Sequence, residues 1–142
     1  MADVDRIVAY LKANVVMALC TALEGRPWAA NCFYAFDAEA VRFLFLTHEE
    51  TRHGREMLEN ARVAGTVSSQ QASVAKIRGV QFTGTARLLE GTERTEARRI
   101  YDRRFPFARL SPAPVWAVVV AELKFTDNTF GFGTKLHWRR PD

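Results

Sequence analysis

The sequence predicts an α+β domain that is mainly β, an antiparallel barrel of six to seven strands with about three accessory helices. Short apolar runs rich in β-branched and aromatic residues recur along the 142 residues, and turn-forming residues separate them. Three further stretches have the apolar spacing or the end residues of helices. No repeat, low-complexity tract or long linker divides the chain, so we expect one domain over residues 1–142.

The first part of the chain predicts a helix followed by a strand hairpin. Residues 3–13 place their apolar side chains on one face, as an amphipathic helix does. Residues 15–22 are a continuous apolar run, residues 24–27 form a turn, and residues 28–36 are apolar on both faces except at Asn31. A strand with two apolar faces must be covered twice, which predicts a closed barrel or a dimer interface. Asn31 is either a core amide or a ligand contact.

The rest of the chain predicts four more strands and two more helices. From Val80 onward apolar and polar residues alternate, whereas the pattern is irregular before Gly79, which predicts a bend within a long strand. The predicted elements are a strand from Val41 to Thr47, a short helix that ends near Asn60, strands over 63–68 and 74–89, a helix from an N-cap at Thr92 to Arg104, a strand over 115–125 and a glycine-containing tail over 126–140.

Side chains that suit an anion are concentrated directly after the strand that ends at Thr47. Thr51, Arg52, His53 and Arg55 lie in the following loop and in the first turn of the short helix. Hydroxyl groups, cationic side chains and the unpaired N–H groups of a helix start together bind phosphate. The alternative is a solvated helix start, with residues 47–50 as a capping box and the arginines paired with neighbouring glutamates.

The charge pattern predicts neither a nucleic-acid partner nor a metal site. The net charge of +4 comes from arginines that are spread along the chain with acidic residues between them, without a continuous basic stripe. His48, His53 and His137 lack paired metal-ligand spacing with each other and with the cysteines. No apolar run is long enough to span a membrane, so we expect no membrane partner.

The cysteines and the first residues point to a reducing compartment. The N-terminal residues lack the basic and apolar segments of a secretory signal, so we expect the protein in the cytoplasm. Cys20 and Cys32 lie on the two strands of the predicted hairpin. We expect two reduced, buried thiols, and the sequence leaves a cross-strand bridge open.

Several motifs resemble the small YhbP-like bacterial family, which is placed among the pyridoxamine 5′-phosphate oxidase-like split barrels that bind flavin mononucleotide (FMN). The strand ending in Thr47, followed by Thr51, Arg52 and a second basic residue, resembles the phosphate-binding segment of those barrels. The other matching motifs are Asn31–Tyr34, Arg78–Gly84, Arg103–Pro106, Ala113–Trp116, Lys124–Thr129 and Gly131–Gly133. The resemblance covers nearly the whole chain. It departs at Ala61, where many relatives have proline, and at His53, where the oxidases have lysine.

The resemblance implies a split barrel of Greek-key topology, with FMN between the subunits of a homodimer. Thr47, Thr51, Arg52 and His53 would bind the phosphate, and Gln81 is a weaker candidate for contact with the flavin ring. FMN would supply redox chemistry, which implies an oxidoreductase that acts on a small-molecule substrate. The sequence identifies no catalytic acid or base, so the catalytic residues are unknown at this point.

Two other functions stay open from the sequence. Some relatives of these barrels bind haem, and His137 would then be the axial ligand. A barrel that keeps the fold without a cofactor and acts through protein contacts is the second alternative. Under each of these functions we expect a homodimer, because residues 28–36 and 115–125 are apolar on both faces and one barrel interior covers only one face.

Overall fold

The computed structural model describes residues 2–142 as one antiparallel sheet of eight strands with three α-helices. The helices are α1 (Asp3–Ala13), α2 (Arg52–Glu59) and α3 (Gly91–Arg104). The strands are β1 (Val16–Leu23), β2 (Arg26–Phe33), β3 (Ala35–Asp37), β4 (Arg42–Leu46), β5 (Arg62–Ser68), β6 (Arg78–Leu88), β7 (Val115–Asp127) and β8 (Lys135–Arg139). Within this described part of the chain, no helix has the length and apolar character needed to cross a membrane.

The strand order is β2-β1-β5-β6-β7-β4-β3, with β8 also paired to β7. β7 is the longest strand and shares one edge between two partners: Val115–Val119 pairs with β4 and Glu122–Thr126 pairs with β8. The register between β6 and β7 shifts after Thr83, which leaves Ala121 as an extra residue on β7. Such a bulge bends a strand, and here it helps the sheet to curl into a half-barrel. The predicted mainly β split-barrel fold is confirmed.

The bulge at Ala121 keeps the inside of the curled sheet apolar along the whole of β7. Before the bulge, the even-numbered residues Val118 and Val120 enter the main core. After it, the odd-numbered residues Leu123 and Phe125 do so. One inserted residue switches which alternate positions face inward, because successive side chains of a strand point to opposite faces.

Aromatic side chains fill the centre of the core. The ring centroid of Phe43 lies 4.4 Å from that of Phe82 and 5.0 Å from those of Tyr34 and Phe36. The hydroxyl group of Tyr34 donates to the carbonyl oxygen of Leu11 at 2.6 Å, which fastens the end of α1 to the sheet. Burial of each such side chain contributes about 1.5–3 kcal/mol, so this cluster is a major source of stability.

The alternation predicted for β6 is confirmed, whereas several element boundaries differ from the predictions. The predicted strand over 28–36 is interrupted at Tyr34, where the backbone leaves β2 to bond Val15. The predicted strand over 74–89 begins only at Arg78, because Val74–Lys76 forms a 3₁₀ turn. The N-cap of α3 is Glu90 rather than Thr92, and its side chain makes no capping hydrogen bond.

The tail contains an eighth strand that the sequence analysis left unassigned. β8 alternates between exposed and half-buried positions, and Leu136 and Trp138 pack against the main core. The break at Tyr34 divides one predicted strand into two, and β8 adds a further one. The sheet therefore has eight strands, whereas the sequence predicted six to seven. The signal was available in the spacing of Leu136 and Trp138, but two apolar residues are too few to separate a strand from a loop.

The two-sided burial predicted for both apolar strands is found in only one of them. The first half of β7 is buried on both faces, because a second cluster that includes Leu44, Leu89 and Ala97 covers its outer side. β2 is mostly exposed, with Trp28 43% and Phe33 53% accessible. One chain therefore leaves apolar side chains of β2 uncovered.

The two cysteines are free thiols that point to opposite faces of the sheet. In the β1–β2 register Cys20 pairs with Ala29, and Cys32 pairs with Met17. Cross-strand partners point to the same face, so Cys32 lies on the inner face with Met17, and Cys20 lies on the outer face. No bridge joins them, and burial raises the pKa of Cys32 to about 11. Their positions on opposite faces leave no cross-strand bridge within the chain, and Cys20 is half-buried rather than buried as expected.

We predict that Gly65→Ala destabilises the protein by more than Gly79→Ala does. A Cβ atom on Gly65 would overlap the carbonyl oxygen of Ala18 and the ring of Phe82, whereas one on Gly79 would lie 3.3 Å from the Cβ atom of Ser68. Overpacking of this kind costs about 1–3 kcal/mol. Urea denaturation measures both variants, and equal unfolding free energies would contradict this account of the core.

Candidate functional site

The loop before α2 and its first turn form one hydrogen-bonded group. The Oγ1 atom of Thr51 accepts from the backbone N–H of Gly54 at 3.0 Å and donates to the carbonyl oxygen of His48 at 2.8 Å, so Thr51 is the N-cap. The Nε2 atom of His53 lies 2.7 Å from Oγ1 of Thr47 and 3.5 Å from Oγ1 of Thr51. Three of the predicted phosphate ligands, Thr47, Thr51 and His53, therefore lie together.

Arg52, the fourth predicted ligand, is held between a carboxylate and an indole ring. Its Nε atom donates to Glu56 at 3.0 Å, and its guanidinium carbon lies 4.1 Å from the centre of the Trp28 ring. Glu56 is buried, and its other oxygen accepts from the hydroxyl group of Thr21 at 2.8 Å. Within residues 2–142 the two terminal NH₂ groups of Arg52 make no hydrogen bond, and its side chain is 42% exposed. Arg52 is thus oriented and still able to bind an anion.

The alternative interpretation of this segment, a solvated helix start, is partly right. Arg52 does pair with Glu56, one of the glutamates expected as its partner. The capping box at residues 47–50 is wrong, because the N-cap is Thr51 and Thr47 is buried beneath the turn. An ion pair with Glu56 uses one of the donors of the guanidinium group, so it does not exclude an anion at the others.

Charges in this group are set by hydrogen bonds and burial. The hydrogen bond from Thr21, together with that from Arg52, lowers the pKa of Glu56, so this carboxylate stays ionised. Partial burial lowers the pKa of His53, and the nearby Glu56 opposes this effect only in part. His53 is therefore neutral at neutral pH, and an anion bound at the first turn would favour its protonation.

A second group of polar residues forms a row across the outer face of the sheet. The strand registers place Asn31 beside Ala18, Ala18 beside Thr66, Thr66 beside Gln81, Gln81 beside Lys124 and Lys124 beside His137. We call these six residues the outer row. Because cross-strand partners point to the same face, the side chains of Asn31, Gln81 and His137 share one surface although they are far apart in the sequence.

The outer row borders a groove floored by small side chains. Cys20, Ala64 and Thr83 line both parts of this groove, whose volumes are about 430 and 370 Å³. The part with the larger volume also contains Gln81 and Lys124, and the other contains Thr21. Small residues leave the face of the sheet flat, and polar side chains stand at its edge. A flat platform with hydrogen-bond donors beside it fits a planar heteroaromatic ring.

The structure separates Gln81 from the four residues around α2. Gln81 is exposed on β6 and makes no hydrogen bond with Thr47, Thr51, Arg52 or His53. Thr21 connects the two regions, since it lines the groove and donates to Glu56, the partner of Arg52. The predicted residues thus form one cluster at α2 and one position on the outer row.

Sequence reasoning missed several residues of this region. Thr21 lies inside an apolar run, and its isolated hydroxyl group was the only signal of a buried polar partner. Glu56 follows Arg52 by four residues, a spacing that pairs side chains on one helix face but does not show that the carboxylate is buried. Trp28 is distant in the sequence from Arg52, and only the packing of α2 brings the two together. Lys124 is distant from Gln81, and only the register between β6 and β7 makes them neighbours.

The described residues include no cluster of His, Cys, Asp and Glu side chains placed to hold a metal ion: no three of them converge anywhere in residues 2–142. His53 bonds threonine hydroxyl groups rather than metal-binding partners, and His137 is exposed on β8. Among the predicted residues at α2, His53 is the group that can transfer a proton, and the others can bind and orient a ligand.

The sequence is similar to that of known proteins over its whole length. The profile of the pyridoxamine 5′-phosphate oxidase family matches residues 4–127. A UPF0306 protein from Citrobacter koseri is 51% identical over 140 residues, which cover 99% of this chain and 96% of the relative. The UPF0306 protein YhbP from Escherichia coli O127:H6 is 50% identical and is covered completely.

Solved structures with low sequence identity share the fold. A haem-binding protein from Mycobacterium smegmatis has a TM-score of 0.82 at 20% identity, and the match covers 98% of this chain and 58% of that protein. A putative pyridoxamine 5′-phosphate oxidase from Listeria innocua has a TM-score of 0.71 at 17% identity, with coverage of 86% and 96%. A FAD-binding protein from Mesorhizobium loti has a TM-score of 0.70 at 16% identity, with coverage of 84% and 91%.

We predict that His53 makes the unliganded protein less stable as the pH falls below ~6.5. Its pKa is lower in the folded chain than the usual value of about 6.5, so the unfolded chain binds more protons below that value. The stability contribution is fully present above pH ~6.5 and is lost as the pH falls toward the lower folded pKa. His53→Gln should reduce this loss.

Thermal unfolding at several pH values measures the effect, with Gln as a replacement that can still bond the threonine hydroxyl groups. The difference in unfolding free energy between wild type and His53→Gln should change below pH ~6.5 and stay constant above it. Two parallel curves across the range would show that His53 is not held neutral by its surroundings.

Proposed function

Because this chain belongs to the pyridoxamine 5′-phosphate oxidase family, and within it to the UPF0306 proteins that include YhbP, we propose that it binds FMN and acts as an oxidoreductase on a small-molecule substrate. The observation that carries this proposal is the flat groove beside the outer row, together with Arg52 at the start of α2, whose terminal NH₂ groups make no hydrogen bond within residues 2–142. A planar ring and a phosphate group need two such regions on one molecule.

The residues around α2 fit a phosphate group. Arg52 would bind it through its terminal NH₂ groups, while Glu56 and Trp28 hold the guanidinium plane in place. The first backbone N–H groups of α2 would add donors, as helix starts do, while Thr51, whose hydroxyl group donates to His48, would hold this turn in place. His53, neutral without a ligand, would take up a proton beside the phosphate and bond it more strongly, with Thr47 fixing the ring.

The outer row fits one edge of a flavin ring. Gln81 would donate to a carbonyl oxygen of the ring, and Lys124, its neighbour on β7, would place positive charge beside it. The bound FMN would supply hydride or electron transfer, and positive charge near its pyrimidine end stabilises the reduced form. Cys20 and Ala64 keep the floor low enough for the ring to lie against the sheet.

We also propose a homodimer, because the groove is open and the neighbouring β2 is an uncovered edge strand. Trp28 and Phe33 on this strand remain largely accessible, and Val16 beside Phe33 is 37% exposed. A second copy of the chain would cover these side chains and exclude water from the groove. The two free cysteines agree with a cytoplasmic location, since a reducing compartment keeps thiols in the reduced form.

Haem is the second candidate ligand, and one observation favours considering it. His137 is exposed at the end of the outer row, next to Lys124, so its imidazole ring could approach an iron atom above the same face. Haem has no phosphate group, but its two propionate carboxylates could also pair with Arg52. FMN is the better supported ligand because the first turn of α2 offers backbone N–H groups and His53 close to Arg52, a combination that suits a phosphate group.

We predict that Arg52→Ala weakens FMN binding roughly 10- to 150-fold, while riboflavin binding barely changes. The loss corresponds to charge-assisted hydrogen bonds worth ~1.5–3 kcal/mol, and riboflavin has the same ring without the phosphate. Quenching of flavin fluorescence measures both affinities. Arg55→Ala is the matched control, because Arg55 lies on the same helix, is exposed and bonds only the backbone of Glu50.

Three results of this titration would contradict the phosphate site. Equal losses for FMN and riboflavin would indicate a general effect on folding, and unchanged affinities would make Arg52 only a partner of Glu56. A loss of the same size in Arg55→Ala would indicate attraction by helix charge alone. Absence of flavin binding, together with a Soret band on addition of haem that disappears in His137→Ala, would favour the haem alternative.

We predict that the protein sediments at twice its chain mass of 16.1 kDa at micromolar concentration. Phe33→Asp should shift the equilibrium toward the monomer, because a charge would replace an apolar side chain of the uncovered strand β2. Leu110→Asp is the control, since Leu110 is 95% exposed in the connector between α3 and β7. A wild-type mass of one chain would contradict the proposal.

A further inference from the structure

A separate cleft lies where the ends of α1 and α3 meet β3. Its volume is about 310 Å³, which is at the lower end of the range for small-molecule sites. It shares no lining residue with the groove or with the cluster around α2. A ligand bound there would therefore be independent of any flavin.

The floor of the cleft is apolar and built from core residues. Leu11, Ala35 and Phe36 are buried, and Ile100 of α3 forms a half-buried wall. Tyr34 also lines the cleft, but its hydroxyl group is committed to the carbonyl oxygen of Leu11. A ligand body that lies on this floor would meet carbon atoms rather than unsatisfied polar groups.

The rim of the cleft is cationic. Lys12 stands at the end of α1, and Arg103 and Arg104 stand in the last turn of α3. These three side chains are exposed, and none of them has a salt-bridge partner within residues 2–142. The cleft has no acidic lining residue. Arg98, a half-buried arginine on the same helix, is already paired with Asp102.

The α1 carbonyl groups nearest the cleft do not neutralise this rim. The carbonyl oxygen of Tyr10 accepts from the side-chain amide of Asn14, and that of Leu11 accepts from both Tyr34 and the backbone N–H of Asn14. These helix-end acceptors are satisfied internally, so they need no hydrogen bond from Lys12, Arg103 or Arg104. Within residues 2–142 these three cations above an apolar floor thus have no salt-bridge partner, although the guanidinium carbon of Arg104 lies 5.7 Å from the centre of the Phe105 ring.

We propose that this cleft binds a small organic anion, whose apolar body lies on the floor and whose single carboxylate, phosphate or sulfonate group is held by Lys12, Arg103 and Arg104. Arginine binds each of these head groups through paired N–H donors, and the apolar floor contributes in proportion to the carbon surface that it covers. An inorganic anion would use the rim alone, and an uncharged apolar molecule would use the floor alone.

Decanoate is a suitable probe, and isothermal titration calorimetry measures its binding to the purified wild-type protein. Decanoate should bind at one site per chain, whereas acetate and inorganic phosphate should bind far more weakly because they lack the apolar body. Decylamine, with the same chain and a positive charge, should not bind. Decyl phosphate distinguishes the head groups: whichever of the two anions binds more tightly identifies the preferred class, and both results support the site.

Two double variants locate the binding. Arg103→Gln with Arg104→Gln should weaken decanoate roughly tenfold or more, because charge-assisted contacts are lost. Arg94→Gln with Arg99→Gln is the matched control, since both residues are exposed on the same helix, remove the same charge and do not line the cleft. Amide chemical shifts of Ala35 and Ile100 in the wild type should change with decanoate.

Several outcomes would overturn the proposal. Equal binding of decanoate and decylamine would remove the role of the cationic rim, and this comparison needs no variant to fold. Equal weakening in both double variants would reduce the effect to net charge. Binding of acetate as tight as that of decanoate, or no decanoate binding at all, would exclude an anion with an apolar body. Added FMN should not compete, so failure of the flavin proposal would leave this result unaffected.

Discussion

The alternation of side chains between the two faces of β6 and β7 is the constraint on which the rest of the structure depends. It sends Val80, Phe82 and Phe125 into the core and leaves Gln81 and Lys124 on the outside. The two sets occupy neighbouring positions, so a slip of one residue would bury the polar set and expose the core. The extra residue at Ala121 shifts the alternation by one residue on β7 alone. Both halves of this strand thereby keep an apolar inner face.

The attachment of α2 to the sheet depends on a buried carboxylate. Glu56 is buried beside β1 and would be costly to keep there as an isolated charge. The hydroxyl group of Thr21 and the Nε atom of Arg52 satisfy its two oxygens, so the same contacts hold the helix and orient the arginine. The stacked ring of Trp28 fixes the guanidinium plane from a third direction. A residue proposed to bind a ligand is thus positioned by interactions that also stabilise the fold.

Much of the fold could be predicted from local patterns, because each pattern acts over a few residues. The alternation from Val80, the helix over residues 3–13 and the turn before β2 needed no knowledge of distant strands. The outer row could not be predicted. Asn31, Gln81 and His137 are each conspicuous in the sequence, but they lie on three strands, and local patterns do not determine the register between distant strands. The capping residue of α2 was misplaced because Thr47 and Thr51 both precede acceptable helix starts, and only the backbone decides between them.

The arginines of the chain divide into those that the fold uses and those that it leaves available. Arg140 donates to the carbonyl oxygens of Ala40, Val41 and Val120, and it thereby supports Val41, whose φ of 52° is unfavourable for a β-branched residue. Arg98 similarly donates to carbonyl oxygens of the connector after α3. These cations replace missing backbone partners, so they add to the net charge without forming a binding surface.

Two groups of the remaining cations lie next to a site proposed for a ligand. One is the exposed part of Arg52 at the start of α2, and the other is the rim formed by Lys12, Arg103 and Arg104. Neither place is a continuous basic stripe, because each is a small group of cations next to an apolar or flat surface. Geometry of this kind selects a compact anion with an organic body over a long polyanion, since a polyanion needs many evenly spaced phosphate contacts. The positions of the cationic side chains therefore favour small organic anions over a polyanion as ligands of this basic chain.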